Sequence, residues 1–268
     1  MACERYQCNL RPDLLEKAVR ELNEPRDNDE RLKAIDQLRD SFNIEKYGPL
    51  IRSDDGFILR FLRARKFNQE RALKVLQNYH TIRKDFRECF SRVEDPMSLK
   101  AVMDTGMMYA AEGKVKNGES VIIYRPGLLS QEVWQDCMPV RMNVMCMEKV
   151  IEEEKYQICG VASIEDLENF NLSMMFKISP MALAKMNNIW QDAMPLRFKA
   201  VHLLNEGKVF DILMAIFKPF MKKKLLKRMH VHGSNYDELQ DFIDPALLPP
   251  FLNGTGPSPK EAAEEWNK

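Results

Sequence analysis

Long hydrophobic runs are missing. No stretch approaches the roughly eighteen apolar residues that a membrane-spanning helix needs, so no span is expected. The first twenty residues carry Glu4, Arg5, Arg11, Asp13, Glu16, Lys17 and Arg20 with no apolar core, so a secretory leader is not expected either. Charge of one sign is missing too: 40 Lys and Arg balance 40 Asp and Glu, which leaves no overall field to draw the chain to nucleic acid. Histidine is scarce, four in all, and His230 and His232 alternate along a presumed strand with no carboxylate or thiol at ligand spacing, so no metal site is expected. The six cysteines form no C-x-x-C pair, and three lie in apolar segments where a thiol behaves as a small hydrophobe. A reduced, cytoplasmic setting fits that usage. The eleven glycines contain no G-x-G-x-x-G, phosphate loop or G-x-S-x-G elbow, and no H-E-x-x-H occurs. No cofactor and no catalytic residue is therefore predicted.

What is present is concentrated between Gly207 and Gly233. Val209 to Phe217 is apolar nearly all the way round, with Asp211 its only charge, and Lys222, Lys223, Lys224, Lys227 and Arg228 follow within seven residues. A helix with apolar residues on every side needs burial on two sides or a second partner. Greasy cover beside a cationic patch suggests a lid that meets a lipid on one side and an anionic membrane on the other. The simpler reading is a core helix followed by a solvated basic turn. From Arg197 to Arg228 nine basic residues face only Glu206 and Asp211, whereas the chain beyond Ser234 tips acidic. Seventeen methionines supply flexible filler for an irregular apolar site or a core.

At 268 residues the chain suits a small domain plus a larger one. Residues 1–95 read as a small helical bundle, with stripes at Leu14, Ala18, Leu22 and at Leu32, Ile35, Leu38, Phe42. In SDDGFILRFLRARKF the apolar residues alternate with Arg60, Arg63 and Arg65, of which Arg63 and Arg65 read as surface charges. Asn68 is placed to cap the next helix. Beyond a connector at Glu94 to Pro96, two short strands flank Asn117-Gly118, a hairpin signal. A helix is predicted from Trp134 to Glu154, a buried strand from Ile158 to Ile164, a helix from Met181 to Asp192, and strands over Phe198–Leu204 and Met229–His232. That alternation implies a mostly parallel sheet within an α/β domain at 96–254, with 255–268 a peripheral tail.

Four segments in this order and spacing carry a resemblance: SDDGFILRFLRARKF, MPLRFKAVHLLNE, FKPFMKKKLLKRMHVHG and LLPPFLNG. They resemble the CRAL-TRIO lipid-transfer family, in its tocopherol- and retinaldehyde-binding branch, from roughly Leu14 to Gly254. The resemblance implies a helical N-terminal domain and an α/β domain whose sheet carries an apolar pocket under a mobile helical gate at 207–220. It places Ile178, Met186, Ile189, Val201, Phe210, Leu213 and Phe217 around the ligand, with Asn143 as a polar group in the pocket. Glu165 and Lys185 match the retinaldehyde-binding pattern, and such a buried pair needs its partner or a polar ligand atom. Members also bind phosphoinositide headgroups through basic residues, here Arg63, Arg197, Lys199, Lys224 and Arg228. The last two share a helix face one turn apart. LPPFLNG departs from the family's usual LPxEYGG, so that loop is expected to pack differently. The chain stops soon after Trp266, so the longer tail of some relatives is not expected.

The resulting expectation is a monomeric cytoplasmic carrier. It holds a tocopherol, retinoid or similar isoprenoid in a gated pocket and delivers it, during transient peripheral contact, to phosphoinositide-containing membranes. The alternative is a Sec14-like exchanger of phosphatidylinositol or another phospholipid, which would need polar groups deep in the cavity. A third reading, an enzyme using Glu165 for proton transfer on a polyene, has no second residue to support it.

Overall fold

The computed structural model describes residues 4–90, 96–111, 118–129, 138–175 and 186–266. Six helices open the chain: α1 (Pro12–Leu22), α2 (Asn28–Asp40), α3 (Ile44–Tyr47), α4 (Asp55–Ala64), α5 (Gln69–Asp85) and α6 (Arg87–Phe90). Local chemistry sets their ends. The Asp54 carboxylate accepts from Phe57 N at 2.9 Å to cap α4, and the Asn68 side chain accepts from Arg71 N at 2.9 Å to cap α5. Phe57, Phe61 and Tyr79 then meet edge-to-face between α4 and α5, and Ile35, Leu38 and Leu76 close the core around them.

Helix α4 is buried on every side, which overturns the reading of Arg63 as a surface charge. Arg63 is fully buried. Its Nε and Nη2 donate to Glu24 at 2.8 and 2.9 Å, Nη1 donates to Gln157 at 2.9 Å, and Nη2 reaches the Tyr6 hydroxyl at 3.1 Å. Arg31, also fully buried, donates to the same Glu24 at 2.8 Å. Arg60, with 4 % of its surface exposed, pairs with Glu148. These contacts tie the N-terminal helices to the helices of the α/β part.

After α7 (Lys100–Met103) come β1 (Met108–Ala111), β2 (Ser120–Tyr124), α8 (Met138–Glu152), α9 (Glu154–Cys159), β3 (Val161–Asp166), α10 (Leu172–Met175) and β4 (Phe198–Leu204). Next are α11 (Gly207–Phe217), α12 (Lys223–Leu226), β5 (Met229–Gly233), α13 (Tyr236–Leu239) and α14 (Pro259–Trp266). The five strands lie in chain order, β1 antiparallel to β2 and every later pair parallel. Asn117 of the expected hairpin turn lies outside the described residues. The third strand starts later than predicted: Ile158 belongs to the last turn of α9, and the chain reverses at Gly160 with φ +91°. A Cβ there would sit 2.6 Å from the Arg197 carbonyl, so only glycine lets the two strands approach.

The sheet has two dissimilar faces. One is covered over β1 to β3 by the C-terminal segment, where Leu239, Ile243, Leu247, Leu248 and Leu252 pack on Tyr109, Val121, Ile123 and Ile164. The leucines of LLPPFLNG are thus core residues. Gly254 is retained there because a Cβ would fall 1.9 Å from the Leu248 carbonyl. The opposite face of the sheet carries the site.

Candidate lipid-binding site

A cavity of about 210 Å³ lies between the sheet, α8 and α11. Alternation brings Ile122 and Tyr124 of β2, Ser163 and Glu165 of β3, Val201 and Leu203 of β4 and Met229 of β5 to its floor. Phe210, Leu213 and Met214 of α11 face it from above, and Asn143 and Met147 of α8 from the side. Six methionines line it (Met108, Met147, Met186, Met214, Met221 and Met229), so the thioethers concentrate where an apolar wall must adapt to a guest.

Of the residues expected around a ligand, Asn143, Glu165, Met186, Val201, Phe210 and Leu213 line this cavity. Ile178 and Lys185 lie outside the described residues, and so does the Phe217 side chain, although Phe217 ends α11. Ile189 is a correction. It opens a π-helical turn, Ile189–Ala193, and points into the helical core with 1 % of its surface exposed, while the next residue, Trp190, takes the cavity wall. Met186, Asn187 and Trp190, at i, i+1 and i+4, form the cavity-facing side, which leaves Ile189 on the core side. Trp190 Nε1 donates to Asn143 Oδ1 at 2.7 Å, so the polar end of Asn143 is satisfied within the wall.

Glu165 is the one carboxylate among the described residues of that wall. Burial pushes its carboxyl up to about 7, and the neighbouring Ser163 hydroxyl pulls it weakly the other way. The acid therefore holds a proton for much of the time near neutrality.

The lid is the crossover between β4 and β5, and both of its ends are fastened. At the near end Asn205, with φ +51°, donates to Asp166 at 2.8 Å and to the Tyr236 hydroxyl at 2.9 Å. At the far end the Phe220 carbonyl accepts from Asn187 at 2.7 Å and Gln191 at 3.1 Å, and Lys222 pairs with Asp192. The outer face remains greasy, with Ile212 38 % and Phe220 55 % exposed.

Beside the lid the cations gather. Lys222, Lys223 and Lys224 are exposed. Burial lowers the Lys224 pKa, and the like charges of Arg228, Lys66, Arg197 and Arg65 lower it further. Arg65 and Lys66 were missed as members of this patch, although the RARK run at the end of α4 was the available signal. Arg228 also donates to the Phe198 carbonyl, and Arg197 donates to the Ile158 carbonyl at 2.6 Å, so both guanidinium groups have structural duties. Lys199 lies 3.5 Å from Glu21. Arg63 is absent from this surface: it is sealed in the Glu24 network, and its expected role as a headgroup contact is corrected.

Fold and cavity together define an α/β lipid-binding protein with a lidded apolar pocket. The CRAL/TRIO domain matches residues 104–254 and the CRAL/TRIO N-terminal domain matches 32–78; the chain belongs to the CRAL/TRIO family, whose members are lipid carriers. It is 35 % identical over 250 residues to the alpha-tocopherol transfer protein-like protein of Homo sapiens, covering 93 % of this chain and 72 % of that one. It is 34 % identical over 250 residues to clavesin-1 of Xenopus laevis, covering 92 % and 74 %. Among solved structures, Sfh5 superposes with a TM-score of 0.52 at 17 % identity over 88 % of this chain and 85 % of its own, a likeness of fold. No helix among the described residues is long and apolar enough to cross a membrane.

Proposed function

We propose that this chain carries one small hydrophobic lipid, a tocopherol, retinoid or similar isoprenoid, and releases it at membranes bearing phosphoinositides. The observation that supports it is the lid, which presents Phe210, Leu213 and Met214 to an apolar cavity and Ile212 and Phe220 to solvent, beside a cluster of cations. Apolar burial at roughly 25 cal/mol per Å² binds such a guest without many polar contacts. Glu165 is then the group that meets a hydroxyl or carbonyl oxygen at the polar end of the guest. Each basic residue near an anionic leaflet contributes about 1 kcal/mol, so the patch holds the protein there transiently. Docking lets the lid exchange cavity contacts for lipid contacts, a population shift that operates if the membrane prefers the open state.

Mass spectrometry of lipid copurified with the recombinant protein tests the reading. An isoprenoid at near one per chain is expected. Phosphatidylinositol in its place would favour a phospholipid exchanger, a function for which the few polar groups of the cavity wall offer little support. The reading is of a carrier and not an enzyme, so cis-retinoids incubated with the protein are expected back with unchanged geometry.

A further inference from the structure

Glu21 stands at the C-terminal end of α1, outside both matched domain stretches, and its carboxylate is ringed by cations from two elements. On its own helix Lys17 Nζ lies 3.2 Å and Arg20 Nη2 3.8 Å from Oε1. From the start of β4, Lys199 Nζ lies 3.5 Å and Arg197 Nη2 3.8 Å from Oε2. Burial works to raise this carboxyl, but the Lys17 hydrogen bond and the charges of Lys199 and Arg197 outweigh it and hold the pKa below the usual range. The two β4 contacts are longer than the roughly 2.7–2.9 Å of a tight charge-assisted hydrogen bond. A phosphate group, with about −1.5 to −2 charges and three acceptor oxygens, offers these cations more charge and more acceptors than the one carboxylate does.

We infer that Glu21 is a resident counter-ion occupying the position of an incoming phosphate, and that a phosphorylated polyol headgroup must displace it to reach Arg197 and Lys199. The inference rests on the carrier reading, which supplies the headgroup. The space needed lies alongside. On the sheet face away from the lipid cavity, Lys17, Glu21, Glu119, Lys199, His202 and His230 line an open cleft of about 440 Å³. Glu119 is 6 % exposed, and its Oε2 has no hydrogen-bond partner among the described residues. A ring hydroxyl is the neutral donor that this oxygen lacks, which is why a polyol suits the cleft better than a bare phosphate.

Glu21→Gln separates the inference from the reading beneath it. Binding is measured on phosphatidylcholine vesicles with and without a phosphatidylinositol phosphate, and by titration with a soluble inositol trisphosphate and with inorganic phosphate. The variant is expected to bind the phosphoinositide vesicles roughly fivefold more tightly, the factor corresponding to about 1 kcal/mol for a released cation. Plain vesicles should show no gain, and adding Lys199→Ala should abolish it. A parallel gain with inositol trisphosphate means the headgroup is taken free of a bilayer; a gain on vesicles alone assigns the lipid as its source. Equal affinities of variant and wild type on every probe overturn the inference, as does an equal gain from Glu16→Gln, an exposed carboxylate on the same helix. If neither wild type nor variant distinguishes the two vesicle types, the membrane half of the carrier reading falls and the inference falls with it; a wild type that prefers phosphoinositide vesicles, matched by an equal variant, overturns the inference alone. Copurified lipid and thermal midpoint, expected to be unchanged, serve as the check on folding.

Discussion

Replacing Glu165 with Gln should remove most of one pH-dependent loss of stability. In the folded, ligand-free chain burial raises this carboxyl to about 7, against about 4.3–4.5 in an unfolded chain. The folded state therefore keeps a proton that the unfolded state has given up, and stability must fall as pH rises between those two values. Below the lower value both states are protonated, and above the upper both are ionised, so the term is flat outside the window. A difference of about 2.5 units at 1.36 kcal/mol each corresponds to roughly 3 kcal/mol. Gln keeps the shape and loses the titration. Urea unfolding of lipid-free protein should then show wild type and Glu165→Gln nearly equal near pH 4, and the variant more stable by up to about 3 kcal/mol at pH 8. Other titrating groups act alike on both proteins, so the difference between the curves is the quantity to read. If that difference does not change with pH, Glu165 is ionised at its ordinary pKa and the cavity is wetter than its apolar lining implies.

Three further outcomes follow from the same geometry. Lys223→Ala combined with Lys224→Ala removes two exposed charges and should slow delivery to phosphoinositide vesicles on the order of tenfold at physiological salt, with lipid affinity unchanged; equal transfer rates in a fluorescence assay would refute the docking role. Arg63→Ala leaves Glu24 with one of its two buried guanidinium partners and should cost about 3–5 kcal/mol in denaturant unfolding; a loss confined to vesicle binding, with stability intact, would return Arg63 to the surface. Asn143→Leu strips the Trp190 N–H of its acceptor and should cost about 1–3 kcal/mol, accompanied by a shift in tryptophan emission.

The lid could be read in the sequence because its oddity is local: nine consecutive residues of which eight are apolar, then five cations, within one short window. Asn68 as a cap and the order of the strands were legible for the same reason. Burial of Arg63 was not, since its partner Glu24 is 39 residues away and Gln157 is 94 residues away, and no spacing along the chain records such meetings. Alternation of Phe and Arg in that helix reads as a half-exposed surface until both faces are found covered. The Ile189 assignment failed because the face could not be phased from sequence: Met186, Asn187 and Trp190 share the cavity side, and Ile189 falls on the core side. Ile158 was drawn into the third strand by its apolar neighbours, although Gly160 marked the reversal. Arg65 and Lys66 were visible as charges, but only the fold brings them near enough to Lys224 for their charges to act on it.

The fourth strand works as a partition between oil and brine. Val201 and Leu203 look into the apolar chamber, while Lys199 and His202 look into the charged one, and the two sets interleave along seven residues. Lys199 reaches the charged side through an irregularity, since Phe198 pairs with Val161 and Ala200 with Ala162. Beyond Ala200 the alternation is strict, so deleting or inserting one amino acid between Ala200 and Leu203 would push the His202 imidazole among the methionines and strand aliphatic groups in water. Length there is therefore more tightly constrained than identity: swaps of one aliphatic for another should be tolerated, whereas a frame change should disrupt both chambers at once.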